Sequence, residues 1–259
     1  MKTTTMSPRR QAFSLVELSI VLVILGLLVG GVLSGQSLIR AAELRSVSSE
    51  YQRYVTAMGT FRDKYFALPG DMNNAVAFWG NTDTGNGDGD GSIESTATAI
   101  GAAGAQTSNE ISNFWIHLAK AALIEGSYTA IANTTLTAPT NNPKAKLSNA
   151  VWNAGFLGSV ANTSTVYFEG SYGDVLYFGS GTAAATPGAV LKPEEAWNLD
   201  TKLDDGRPDI GSITTLESQG LAAGTACSSI TAAATTLAAS AYSLSNSGAA
   251  CSLVFKTGY

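Results

Sequence analysis

The sequence predicts an α+β fold, in which one long N-terminal helix, half membrane-spanning and half amphipathic, packs on a head of antiparallel sheet with short extra helices. Three observations predict it. An apolar run opens the chain, a three- and four-residue periodicity continues from it, and the remainder breaks into short apolar segments separated by Gly, Asn, Asp and Pro. With 259 residues the chain can bury a real core. Charged residues make up only 14%, against roughly 25% in an ordinary soluble domain. The deficit sits in the apolar run and in a stretch, 221–259, built largely of Ala, Ser, Thr and Gly. With 15 basic and 20 acidic side chains, a net charge of -5, nucleic acid is not expected as a partner, because polyanions are repelled.

Leu18 to Ile39 holds no charged side chain, and a helix needs about 20 such residues to cross a bilayer. Lys2, Arg9 and Arg10 precede it with no acid among the first twelve residues, which keeps that end in the cytoplasm and exports the rest of the chain. A cleaved secretory signal fits less well. The run exceeds the roughly 7–15 residues of a signal core, and Ser34-Gly35-Gln36-Ser37 is a mediocre cleavage site. Glu17 stands at the edge of the run, where an unpaired charge costs several kcal/mol and so marks function.

The segment Ala12-Phe13-Ser14-Leu15-Val16-Glu17-Leu18, with the apolar run behind it, resembles the processing site of type IV prepilins and type II secretion pseudopilins. The resemblance implies that prepilin peptidase cuts between Ala12 and Phe13 and that the Phe13 amine is then methylated. Ala12 is a departure, since the family usually has Gly before the cut. Cleavage removes three of the 15 basic side chains and creates an amine four residues before Glu17. Between neighbouring subunits, amine and carboxylate can cancel and set axial register. Gly26 and Gly30, and likewise Gly31 and Gly35, have the GxxxG spacing that lets membrane helices approach closely, although glycine is also simply common there. Gly30-Gly31 is the weak point of the helix, at about 1 kcal/mol per Gly relative to Ala.

Past the apolar run, Val47, Tyr51, Tyr54, Met58, Phe61 and Tyr65 form a helical stripe, with Arg45, Glu50, Arg53, Arg62 and Asp63 mostly off it. Pro69-Gly70 ends the helix, giving about 80 Å from Phe13 to Phe66 at 1.5 Å per residue. The domain reading is a leader at 1–12, a transmembrane and filament-core helix at 13–39, the same helix entering the head at 40–67, and the head at 68–259. Within the head, a helix is expected over Ser108–Ile124 with a Ser cap and Gly126 as its stop. A second is expected over Pro193–Leu203. Thr165–Glu169 and Asp174–Gly179 read as a hairpin turning on Gly170–Gly173. The strings LPGDMNNA, NFWIHLAKAALI and NLDTKLDDGRPDIGSI are also similar to bacterial prepilin-like proteins.

No enzyme is expected. The single histidine, His117, excludes HExxH and two-histidine metal sites, and its place at the flank of an apolar helix face reads as structural. Asp200, Asp204, Asp205 and Asp209 lie about Gly206 and Pro208, which reads as a solvated turn. Cys227 and Cys251 are the only cysteines; in an oxidising exported compartment they predict a disulfide across a stretch with little capacity to bury itself.

The Gly/Asp loop, 83–94, is a candidate calcium site. Asn86, Asp88, Asp90 and Ser92 alternate with glycines as in the opening of an EF-hand loop, with Gly91 at the sixth place and Ile93 at the eighth. The twelfth place is Ala97, so the usual glutamate is missing; Glu94, Glu110 and Asp83 are the candidates to replace it. A solvated turn is the alternative. The function expected is a structural subunit of a type IV pilus-like filament, minor or specialised in view of its length. It would be anchored in the bacterial inner membrane with its head in the periplasm, and its partners would be other pilin or pseudopilin subunits, prepilin peptidase and inner-membrane assembly machinery. The alternatives are a type II secretion pseudopilin, or a tethered adhesin or ligand-binding module using a pilin-like anchor.

Overall fold

A computed structural model describes residues 14–80, 84–94, 109–129, 136–161, 164, 166–181, 187–216, 226–229 and 240–259. The leader, Ala12, Phe13, Asp83, Ala97 and Ser108 lie outside them. The chain divides into two units, one up to Ala42 and one over Glu43–Tyr259.

Helix α1 runs over Leu15–Tyr65. In the first unit its apolar side chains are exposed, from Leu15 through Ile39, and the helix continues through Gly30 and Gly31 without a break. It is long and apolar enough to cross a membrane. In the second unit Val47, Tyr54, Met58 and Phe61 of the stripe are buried, while Tyr51 and Tyr65 are half-buried. Glu50 departs from expectation, because it too is buried. Its carboxylate accepts from Trp152 Nε1 at 2.8 Å and from the Lys146 N–H at 3.1 Å. A carboxylate is tolerated in a core where its lone pairs are met this way.

Beyond α1 come α2 (Ala75–Trp79), α3 (Glu110–Lys120), β1 (Val151–Val160), β2 (Gly170–Gly179), α4 (Pro193–Leu203), β3 (Ile213–Thr215) and β4 (Leu253–Lys256). The four strands form one antiparallel sheet in the order β1-β2-β4-β3. Alternation along β2 puts Leu176 and Phe178 into the main core, with Tyr54, Trp115 and Trp152, and turns Val175 and Tyr177 to a second cluster with Tyr172, Leu216 and Val254. Tyr54 meets Trp115 and Trp152 edge-on, with centroids 5.1 and 5.6 Å away, the geometry that aromatic quadrupoles favour.

Helix α4 has the bounds that Pro193 and the Asp204-Asp205-Gly206 stop predict, and Glu195 reaches back to the Lys192 N–H at 2.9 Å. The hairpin expectation is corrected. Gly170–Gly173 is not its turn but the start of β2, paired along the length of β1, and the connection lies at 161–169. The apolar residues of 151–160 are interrupted by Asn153, Gly155 and Gly158, which mask the strand in the sequence. Helix α3 is capped by Asn109, whose side chain accepts from the Ser112 N–H, and it stops at Lys120, before Gly126, with Ala122 in left-handed backbone at φ 58°.

Cys227 and Cys251 form a disulfide with 24 residues of separation. Both are buried, and the Leu191 N–H donates to the Cys251 carbonyl at 3.0 Å. Closing a loop of this length contributes about 3.5 kcal/mol by the chain-entropy relation. Paired Cys227→Ser/Cys251→Ser substitution is therefore expected to lower unfolding free energy by about that amount in chemical denaturation under oxidising conditions. A loss below about 1 kcal/mol would mean that the loop is already ordered without its covalent closure.

Candidate functional site

Two places carry chemistry. The first is the loop at 86–94, which has no regular secondary structure and takes most of its acceptors from elsewhere. Asp71, just past the end of α1, accepts from the Gly89 and Gly91 N–H groups at 2.7 and 3.0 Å. Glu110, at the first position of α3, accepts from the Asp88 and Glu94 N–H groups at 2.9 and 3.1 Å. Asp174 of β2 accepts from the Ile93 N–H at 2.8 Å. Asp71, Glu110 and Asp174 are all buried. Gly87 passes so close that an added Cβ would lie on the Asp71 backbone, and Gly91 takes φ 94°, so the glycine spacing has a structural reason of its own.

Burial, reinforced by Asp71 and Asp88, pushes the Glu110 carboxyl up to about 8. Burial, with Asp71, Asp90 and Glu94 nearby, lifts Asp174 to about 7, and it raises Asp71 and Glu94 as well. Carboxylate oxygens of Asp71, Asp88 and Glu110 all lie within 4.8 Å of one another. Oxygens 2.3–2.6 Å from one calcium ion can be that far apart, so this trio fits a hard cation. Of the residues the spacing singles out, Asp88 and Glu110 are in this group. Asn86 instead accepts from the Val76 N–H, and Asp90 from the Ser92 N–H; Glu94 is held through its N–H. Asp71 is not singled out by the spacing. Its only signal in the sequence is a lone acid directly after the Pro69-Gly70 stop.

His117 is fully buried rather than at a flank. Its Nδ1 accepts from the Gly70 N–H at 2.9 Å and its Nε2 lies 3.0 Å from the Gly85 carbonyl, an arrangement that needs the neutral Nε2–H tautomer. The ring lies nearly parallel to Phe61, with centroids 6.1 Å apart. Both nitrogens are spent on holding the turn after α1 and the loop, and neither is left for proton transfer. The solvated-turn expectation for Asp200, Asp204, Asp205 and Asp209 is corrected, since Asp200 and Asp209 are buried, and Asp205 accepts from the Arg207 N–H at 2.8 Å. Asp200 accepts from the Tyr242 hydroxyl at 2.7 Å, and Asp204 accepts from the Ile213 N–H at 3.1 Å.

The second place is the start of α1. The Ser14 N–H donates to Glu17 Oε2 at 2.9 Å and Ser14 Oγ accepts from the Val16 N–H at 3.3 Å. Ser14-Leu15-Val16-Glu17 thus caps its own helix, a four-residue signal that the Glu17 charge argument leaves aside. Gly26 and Gly30 have nothing within 4 Å of an added Cβ, so their close-approach face is open in the single chain. Residues 7–33 match the prokaryotic N-terminal methylation motif. Motif and helix together fit a type IV pilin-like protein. No curated protein and no solved structure matches the chain.

The motif supports processing by prepilin peptidase and assembly with other pilin subunits, and with the apolar helix it suggests a single-pass membrane anchor. The motif family is structural rather than catalytic.

Desolvation holds His117 down at about 4, against an ordinary 6.5. The unfolded chain therefore binds the proton first. The associated stability, about 3 kcal/mol, is present above pH 6.5 and is lost as pH falls toward 4. Asp174 and Asp200, both near 7, work in the opposite sense, with stability present in acid and lost as pH rises through their folded values. Global unfolding mixes these effects, whereas the imidazole resonance of the chain's one histidine isolates the first. It is expected to show no protonation from pH 8 down to about 5; a midpoint near 6.5 would refute the buried, doubly bonded ring.

Proposed function

We propose that this protein is a structural subunit, minor or specialised, of a type IV pilus-like filament. Prepilin peptidase would cut between Ala12 and Phe13, and the N-terminal part of α1 would become filament core. The supporting observation is the coincidence of the methylation motif with the N-terminal part of α1, where the large apolar side chains from Leu15 through Ile39 are exposed. Such a surface is stable only in lipid or against other copies. Residues 13–39 would serve as membrane and filament-core helix, 40–67 as its continuation, and 68–259 as an exported head. A type II secretion pseudopilin would use the same parts.

Glu17 has two candidate roles, as cap of its own helix and as counter-charge to a neighbour's methylated amine. Gln at the same place keeps the cap but removes the charge. Mass spectrometry of the native subunit is expected to find a chain beginning at N-methylated Phe13. Glu17→Gln is expected to leave processing and membrane insertion intact while filament yield falls at least about tenfold. An N-terminus at Met1 or past residue 39 would sink the filament reading, and normal yield from Glu17→Gln would reduce Glu17 to a helix cap.

The Asp71–Asp88–Glu110 trio favours a further element, one calcium ion held at the Gly/Asp loop. Asp90, Glu94 and the Ser92 carbonyl would be the nearby oxygens from which the six to eight ligands of calcium are completed. Binding at 100 times Kd adds about 2.7 kcal/mol of stability. The full chain in detergent is expected to gain thermal stability in millimolar calcium, and Asp71→Asn and Asp88→Asn are expected to abolish the gain. An unchanged melting temperature, or a response that survives both substitutions, would leave the loop as a purely protein-held turn.

A further inference from the structure

The surface at the end of α1 carries a feature that the filament reading leaves unused. Phe66, directly after the helix, sits in left-handed backbone at φ 54°, and the residue is 92% exposed. Its N–H donates to the Arg62 carbonyl at 2.8 Å, a helix-ending turn that glycine makes without steric cost. Phenylalanine is strained there, and an exposed ring adds nothing to the core. An outlier that the fold itself does not need is grounds for a functional hypothesis.

Beside Phe66 lies an open groove of about 640 Å³, within the range of roughly 300–1,000 Å³ typical of small-ligand sites. The rings of Tyr65, Phe66 and Tyr259 border it. The Tyr65 ring continues to Phe78 and Trp79, with centroids 5.5 and 5.3 Å away, so the aromatic surface extends past the groove. Among the polar lining groups, Asn73 and Asn74 are exposed, and Asp90 commits one oxygen to Ser92. The one cation, Arg62, has its guanidinium carbon 5.2 Å from the Tyr259 ring centroid, which occupies it as a cation–π partner.

Aromatic faces beside exposed amides and a carboxylate are suited to a pyranose ring. Its C–H face lies against the negative face of an aromatic ring, and its hydroxyl edge exchanges hydrogen bonds with Asn and Asp. Asp71 and Asp90 against an already engaged Arg62 disfavour acidic sugars. We propose that this groove binds a neutral polysaccharide chain, with Phe66 as the stacking surface and Asn73, Asn74 and Asp90 as hydroxyl partners. The site lies wholly within Glu43–Tyr259 and does not depend on filament assembly.

The test uses the full chain in detergent, titrated calorimetrically with cellohexaose and chitohexaose, with oligogalacturonate as the acidic control. A neutral oligosaccharide is expected to bind and oligogalacturonate is not. Phe66→Gly suits the backbone and removes only the ring; it is expected to weaken binding at least tenfold without lowering the melting temperature, and Asn74→Ala to weaken it a few-fold. No heat with either neutral oligosaccharide at millimolar concentration, or full affinity in Phe66→Gly, overturns the proposal. So does equal binding of oligogalacturonate. Loss of filament incorporation in Phe66→Gly without any sugar binding also overturns it, and assigns the groove to contact between subunits.

Discussion

Backbone groups and carboxylates drawn out of water must satisfy one another, and here three buried acids accept from the N–H groups of a largely exposed segment with no ladder of its own. Asp71, Glu110 and Asp174 reach the loop at 86–94 from the turn after α1, the start of α3 and the middle of β2. That loop is consequently the knot joining three elements. The arrangement is costly, since burial holds the protons on all three acids and the Asp71 charge adds to the effect at the other two, with Glu110 at about 8 and Asp174 at about 7. A structure that concentrates like charge in this way is poised to gain from any neutralising partner.

Glu50 performs the same service for the packing of α1. Its carboxylate joins the helix to Trp152 of β1 and to the Lys146 N–H, where apolar contact alone would leave an indole N–H unmet. Removing such an acceptor strands its donors at roughly 1–3 kcal/mol each. Tyr51 adds a second tie, its hydroxyl donating to the Lys256 carbonyl at 2.9 Å. Helix α1 is thus fixed to the sheet by direction-specific polar bonds as well as by the aromatic cluster around Tyr54.

Legibility in the sequence tracks the range of each signal. The apolar run, the stop at Pro69-Gly70, helix α4 and the disulfide are encoded in neighbouring residues or in a lone pair of cysteines, and each is readable. Glu50 is not, because its donors come from residues about a hundred positions away. Asp71 escapes for a related reason, as its partners lie eighteen and twenty residues on and an EF-hand spacing draws attention to the loop's own acids. Strand β1 is hidden because Asn153, Gly155 and Gly158 break its alternation; its pairing to β2, with irregularity around Gly158, is settled by the partner strand rather than by its own composition.

The order of strands in the sheet has a bearing on how the chain is made. Strand β4 lies between β2 and β3, and it joins them only after more than seventy further residues beyond the end of β2 have been synthesised. Long-range pairing of this kind is slow, since loop-closure entropy is lost before any contact compensates. Helix α1, whose backbone bonds are local, can form as soon as it emerges, whereas β2 must wait with one edge bare until Leu253–Lys256 arrives. The disulfide partner Cys251 stands two residues before that strand, so oxidation and sheet closure act on the same few residues. A chain interrupted before residue 253 would keep helix α1 and lack a finished sheet, which makes the exposed edge of β2 a physical mark of incomplete synthesis.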